Sequence, residues 1–208
     1  MGKASPIILA LDVAEHEKAI QIAESVKDHV WGYKLNWPAI LGSGKQIISD
    51  IKKLNKPVIA DLKLADIGNT LDLISQQVFA QGADYIIGQP FIGSEPFSIF
   101  DPKKLILVVE MSHPGATQFI QPLTEQFCSM AREMGVWGVV APATRPDRVK
   151  QIRDWVGPET KILSPGVGAQ GGTASETIQA GADLIIVGRA IYNTPDPKQA
   201  ASCILEAI

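Results

Sequence analysis

Apolar residues in this chain follow two alternating patterns. Short continuous runs rich in Ile, Leu and Val occur at 7–11, 32–35, 58–62, 85–88, 105–110, 138–141, 161–164 and 184–187, and each has the length and content of a buried strand. Between them, 15–26, 45–54, 69–80, 123–134, 146–156, 174–180 and 197–208 repeat apolar positions every three to four residues, as amphipathic helices do. Strand and helix alternate almost throughout, which predicts an α/β protein with a parallel sheet. Eight units of about 26 residues each fit a closed (β/α)8 TIM barrel; a doubly wound open sheet is the alternative. An internal echo, Gln81-Gly-Ala-Asp-Tyr-Ile-Ile-Gly88 against Ala180-Gly-Ala-Asp-Leu-Ile-Ile-Val-Gly188, marks two helix-end, glycine and strand junctions. The fourth unit is the least regular. Pro90, Gly93, Pro96 and Pro102 interrupt it, so only a short helix is expected there.

Composition bounds the partners. The 208 residues, 46% hydrophobic and 20% charged, suit one domain over 1–208 with a single core. With 19 basic against 22 acidic residues the formal charge is −3, unlike the basic balance of a nucleic-acid binder. No apolar window reaches the roughly 18 residues of a membrane span, and Met1-Gly-Lys-Ala-Ser-Pro6 leads straight into the first strand, as in an unprocessed soluble protein. Cys128 and Cys203, each in a helical segment, fit no metal or redox spacing; they suggest buried thiols in a reducing cytoplasm.

The candidate chemistry sits at the strand ends. Asp61-Leu-Lys63-Leu-Ala-Asp66 directly follows the third strand. Alternation points Asp61 and Lys63 the same way and leaves Asp66 in the turn to the next helix. A lysine between carboxylates keeps its proton and can act as a general acid, which argues against a Schiff-base lysine. The first strand ends in Asp12, the second carries Lys34 and then Asn36, and the fifth ends at Glu110 before Ser112-His113-Pro-Gly115. The seventh runs into Ser164-Pro165-Gly166-Val-Gly-Ala-Gln170-Gly-Gly172 and the eighth into Gly188-Arg189, a glycine-and-arginine pairing suited to phosphate. Four glycines in the seventh loop suggest a lid, with Gln170 able to bond across it. His16 and His29 read as solvated, and His113 lies on the rim beside a proline. No His, Cys and carboxylate cluster specifies a transition metal; Asp61 and Asp66 suit Mg²⁺, but Lys63 already supplies a cation between them. Of the four tryptophans only Trp37 is placed near the rim.

Leu9-Ala-Leu-Asp12, Asp61-x-Lys63-x-x-Asp66-Ile67, Ser164-Pro165-Gly166 and Val187-Gly188-Arg189 together resemble the orotidine 5′-monophosphate decarboxylase family, in its short microbial and archaeal form, over almost the whole chain. The resemblance implies a (β/α)8 barrel that acts as a cytoplasmic homodimer on orotidine 5′-monophosphate, with no metal or organic cofactor. It implies that Lys34, Asp61, Lys63 and Asp66 form the catalytic charge network, and that Asp66, Ile67 and Thr70 reach into the partner's site. Asp12 and Thr70 match ribose-binding positions and Ser112 the pyrimidine contact. Gln170, Gly188 and Arg189 match phosphate contacts, with Pro165 and Gly166 in the same binding loop. The nearest competitor has the same Asp-x-Lys-x-x-Asp string: Mg²⁺-dependent enzymes resembling 3-keto-L-gulonate 6-phosphate decarboxylase and hexulose-phosphate synthase. Those place a Glu where this chain has Lys34, which favours the nucleotide enzyme. A non-catalytic phosphoribosyl-binding barrel is the remaining alternative, although a buried charge quartet would then only cost stability. Asn36-Trp37 departs from the smaller or more aliphatic residues expected after the strand-two lysine.

Overall fold

The computed structural model describes residues 5–208; Met1 to Ala4, the start of the stretch read as an unprocessed N-terminus, lie outside the described residues. Eight strands form where the apolar runs predict: β1 Ile7–Ala10, β2 Gly32–Asn36, β3 Val58–Leu64, β4 Tyr85–Gly88, β5 Leu105–Val108, β6 Gly138–Val140, β7 Lys161–Pro165 and β8 Leu184–Val187. All pairings are parallel and β1 also pairs with β8, so the sheet closes on itself and the open-sheet alternative falls. Closure explains why the strands are apolar on both faces. Ile8, Ala10, Ile59, Ile87, Ile106, Val108, Val140, Leu163, Leu184 and Ile186 fill the barrel, while alternate residues such as Leu9, Leu35, Ala60 and Leu107 pack under the helices. Trp31, Trp137 and Tyr85 cluster at the N-terminal end, with ring centroids 5.7 Å apart for Trp31 and Trp137 and 4.0 Å apart for Trp137 and Tyr85.

The helices are α1 His16–Val26, α2 Trp37–Ser43, α3 Gln46–Lys52, α4 Gly68–Ala80, α5 Ala116–Phe119, α6 Thr124–Met134, α7 Pro146–Val156, α8 Ala174–Gln179, α9 Arg189–Tyr192 and α10 Pro197–Glu206. Three short ones, α2, α5 and α9, were not expected, because fewer than two full turns show little periodicity. The start of α2 is nevertheless written in the sequence: the Asn36 side chain accepts from Trp37 N and Pro38 sits in the first turn. The fourth unit has no α-helix, only three 3₁₀ turns at Pro90–Ile92, Glu95–Ile99 and Pro102–Lys104. They seat the buried Phe97 over Gly88, where any side chain would collide with its ring at 2.5 Å. Among the described residues no helix is long and apolar enough to cross a membrane.

Candidate active site

The C-terminal mouth of the barrel is a cavity of about 410 Å³. Ala10, Ile87, Val108, Val140 and Ile186 form its apolar floor and the strand-end polar residues its walls. Tyr33 and Leu35 face the helices, so the pleat turns Lys34 inward; Ala60 and Leu62 do the same for Asp61. Lys34 is 6% and Asp61 4% exposed. Lys34 Nζ lies 2.7 Å from Asp61 Oδ2, and Lys63 Nζ lies 2.8 Å from Asp61 Oδ1, so one carboxylate bridges two ammonium groups. Burial opposes charge on both buried partners. The opposite charges outweigh it, raising the Lys34 pKa with help from Asp12 and lowering that of Asp61 below the usual carboxylate range. The Lys34–Asp61 pair is therefore ionised at neutral pH.

Lys63 does not reach this place by regular alternation. Its φ is 48°, in the left-handed region, and the register of β3 against β4 shifts between Ala60 and Leu64, so the strand bulges there. Among the described residues Asn55 is the only other non-glycine with positive φ, at a turn. The bulge carries the Lys63 ammonium toward the cavity, with 34% of its side chain exposed.

Asp12 enters from the end of β1, and its Oδ1 is buried with no hydrogen-bond partner among the described residues. An acceptor in that state is ready for a ligand hydroxyl or cation. Met111 and Ser112 line the wall after β5; Pro165, Gly166, Val167, Ala169 and Gln170 after β7; Gly188, Arg189 and Tyr192 after β8. The β7 loop is folded on itself. Gly168 N donates to Gly172 O (2.8 Å) and Gly172 N to Gly166 O (3.0 Å), while Gly166 and Gly168 have φ of 108° and 75°. A side chain at 172 would press against Ala143 O at 2.8 Å, so the glycines here serve close packing as well as freedom of backbone. Three cations, Lys34, Lys63 and Arg189, face two anions, Asp12 and Asp61, and the balance favours an anionic ligand.

Asp66, Ile67 and Thr70 do not line this cavity. Asp66 is exposed and accepts from Ile67 N at 2.7 Å, Ile67 is 68% exposed, and Thr70 is half-buried on the first turn of α4. Asn36 lines the cavity, whereas Trp37 turns outward and donates from Nε1 to Leu62 O (3.2 Å); the two departures noted in the sequence thus serve a helix cap and a strand anchor.

Two expectations are corrected. Glu110 is not a rim residue: β5 ends at Val108, and a bend at 109–110 turns this carboxylate, fully buried, outward beneath the helices. There it meets Arg145, Arg148 and Thr124. Cys203 is exposed near the chain's end, whereas Cys128 is buried, its thiol pushed up to about 12 by burial and then by Glu110. His113 is exposed beside the site, and His16 lies 3.3 Å from Asp50. Tyr192 and Met111 were missed. Tyr192 lies one short turn beyond Arg189, and only the presence of α9 carries it back to the cavity. Among the described residues no three His, Cys, Asp or Glu side chains converge as a metal site.

Residues 5–204 match the family model described as "Orotidine 5'-phosphate decarboxylase / HUMPS family". The orotidine 5′-phosphate decarboxylases of Pyrococcus furiosus and Pyrococcus horikoshii are 52% and 53% identical to the chain, over 97% of it and 97% and 98% of their own lengths. The crystal structure of the Pyrococcus horikoshii OT3 enzyme superposes with a TM-score of 0.92 at 53% identity, covering 97% of this chain and 98% of that one. That of the Methanocaldococcus jannaschii orotidine 5′-monophosphate decarboxylase, complexed with the inhibitor BMP, gives 0.92 at 41% identity, covering 98% of each.

Proposed function

The chain belongs to the orotidine 5′-phosphate decarboxylase / HUMPS family, and we propose that it converts orotidine 5′-monophosphate to UMP without a metal, Lys63 protonating C6 of the pyrimidine. The observation that carries this is the Asp61 carboxylate held between Lys34 and Lys63 at 2.7 and 2.8 Å on the wall of an apolar-floored cavity. In the reaction the bond between C6 and the carboxylate breaks, CO₂ leaves, and the electron pair stays on C6. No ordinary electron sink exists for that pair, so the site must stabilise charge that appears only along the reaction path. The Lys63 ammonium is the partly exposed cation next to that position, and its proton passes to C6. Asp61 keeps Lys63 charged and aimed and repels the substrate carboxylate until CO₂ departs. Two like charges about 4 Å apart at an effective dielectric of 20 oppose each other by about 4 kcal/mol.

The remaining residues divide the substrate among them. Asp12, with its unpartnered buried oxygen, takes a ribose hydroxyl; Ser112 meets the pyrimidine. Gln170, Gly188 and Arg189, with Pro165 and Gly166 beside them, take the phosphate, whose remote binding aligns the reacting end. Asp66, Ile67 and Thr70, outside their own cavity, complete the site of a second subunit, Thr70 at its ribose and Asp66 at its charge network. Trp37, Leu41, Ile67, Leu73 and Phe91 are exposed on the units that follow β2, β3 and β4, and exposed apolar side chains on three neighbouring units support a homodimer. The reading includes a single domain over 1–208 and a cytoplasmic location, which two free cysteines suit.

The family also holds sugar-phosphate enzymes, and for them the Asp61 oxygens would have to face Mg²⁺. Here each accepts from an ammonium group, which supports the metal-free reading. The test is orotidine 5′-monophosphate with chelator present, followed by ultraviolet absorbance. Rapid conversion to UMP is expected. Folded protein that converts nothing, yet acts on a keto-sugar phosphate once Mg²⁺ is added, would place the chain with the sugar-phosphate enzymes; inactivity on both would leave a binding barrel.

A further inference from the structure

We infer that Glu110 is a positioning residue for this decarboxylation, holding the Met111–Ser112 segment at the rim so that Ser112 meets the pyrimidine in register; the inference rests on the function proposed above. Glu110 is fully buried, yet both its oxygens are fully engaged. Oε1 accepts from Arg145 Nε (3.2 Å) and Gln121 Nε2 (3.4 Å). Oε2 accepts from Arg148 Nε (2.9 Å) and Nη2 (2.8 Å) and from Thr124 Oγ1 (3.0 Å). The donors come from α6, from the turn before it, from the loop after β6 and from α7, so one carboxylate ties four segments of chain to the end of β5.

What distinguishes this cluster from a packing device is where its bonds lead. Arg145, oriented by Glu110, donates through Nη2 to the Met111 carbonyl (2.5 Å), and the adjacent Thr144 donates from Oγ1 to the Ser112 carbonyl (3.0 Å). The two residues after Glu110 are thus pinned at their backbones by the β6 loop, and both line the cavity. The same contact reaches the glycine loop: a Cβ on Gly166 would stand 2.9 Å from Thr144 Cγ2 and 3.3 Å from Ser112 Cβ. Three loops therefore meet at Ser112, and the carboxylate beneath them sets their spacing. An apolar residue could fill the volume without the cost of burying charge, but it could not orient Arg145.

The test is a double-mutant cycle of Glu110→Gln and Ser112→Ala, with kcat/KM for orotidine 5′-monophosphate and the inhibition constant of ribose 5-phosphate as readouts. Glu110→Gln keeps the volume and weakens the grip on both arginines. Expected is a roughly 10- to 100-fold loss in kcat/KM, as misplacement of a binding group produces, with ribose 5-phosphate inhibition changed less than about twofold. In the Ser112→Ala background the further loss from Glu110→Gln should shrink to under about threefold, because a residue acting through Ser112 has nothing left to position. If Glu110→Gln does not fold, Arg145→Gln, on the half-exposed side of the cluster, enters the same cycle with the same expectation. Losses that multiply, or ribose 5-phosphate inhibition weakening in parallel with turnover, would overturn the positioning role while the activity stands. Wild-type protein inactive on the nucleotide would overturn both.

Discussion

Lys63 concentrates the residue-scale logic of this protein. A non-glycine residue in the left-handed region costs about 1 kcal/mol, and here the strain sits on the lysine that meets Asp61 at 2.8 Å and faces the cavity. Regular β geometry would have kept Lys63 in the ladder with β4; the bulge releases it from that pairing. Lys34 has the opposite assignment. Buried and paired with the same carboxylate, it fixes Asp61 in its ionised state, so the pair acts as a charged platform for the more exposed lysine. Lys63→Ala should lower turnover by at least about 10³-fold, the combined scale of general-acid and electrostatic catalysis. UMP binding, measured by calorimetry, should survive because the proposed phosphate and ribose contacts lie elsewhere on the rim. Turnover close to wild type would remove Lys63 from the mechanism.

At the scale of elements, the internal echo turns out to mark a structural device. Asp84 Oδ2 accepts from Val58 N (2.7 Å) and from Lys52 Nζ (2.7 Å), tying the entry of β4 to the first residue of β3. Asp183 repeats this at the entry of β8, accepting from Ile162 N (2.9 Å), from Lys161 (3.0 Å) and from Arg153 of α7. Each aspartate fixes the register of neighbouring parallel strands, which no turn can fix for it. Burial favours the neutral form of Asp183, but the Ile162 amide, Lys161 and Arg153 outweigh it, so its folded pKa is depressed. A depressed carboxylate adds stability above its unfolded pKa of about 3.9 and loses it as pH falls through the folded value. Asp183→Asn should therefore cost about 2 kcal/mol at neutral pH. In thermal unfolding, the gap to wild type should narrow below about pH 4; a gap constant from pH 7 to pH 3 would assign the loss to shape alone.

For the whole molecule, the barrel leaves a charged cavity at its mouth and three proposed site residues outside it. Asp66, Ile67 and Thr70 do not line their own cavity, and the proposed homodimer would have them reach the partner's site. Mixing Lys63→Ala and Asp66→Ala protomers tests this directly, because one of the two sites in each heterodimer then has both residues. Free exchange of equal amounts makes half the dimers heterodimers, and activity should recover to about a quarter of wild type. Verified exchange without recovery would confine Asp66 to its own subunit.

The sequence by itself determined the eight strands, seven of the ten helices among the described residues and the barrel, because strand length, β-branched content and helical periodicity are local properties that agree along the chain. It also determined which residue types stand at the strand ends, and these carry the resemblance to the decarboxylase family. Only the tertiary structure decided which of them converge. The sequence places Glu110 and Ser112 two residues apart at one strand end, yet a bend sends one beneath the helices and leaves the other at the cavity. Tyr192 joins the cavity through a helix of four residues, too short to leave a periodic signal. Asp61 can bridge two lysines 27 positions and 2 positions away because parallel pairing sets β2 beside β3 and a bulge turns Lys63 back toward the mouth. Such meetings depend on contacts between distant segments, and no local pattern encodes them.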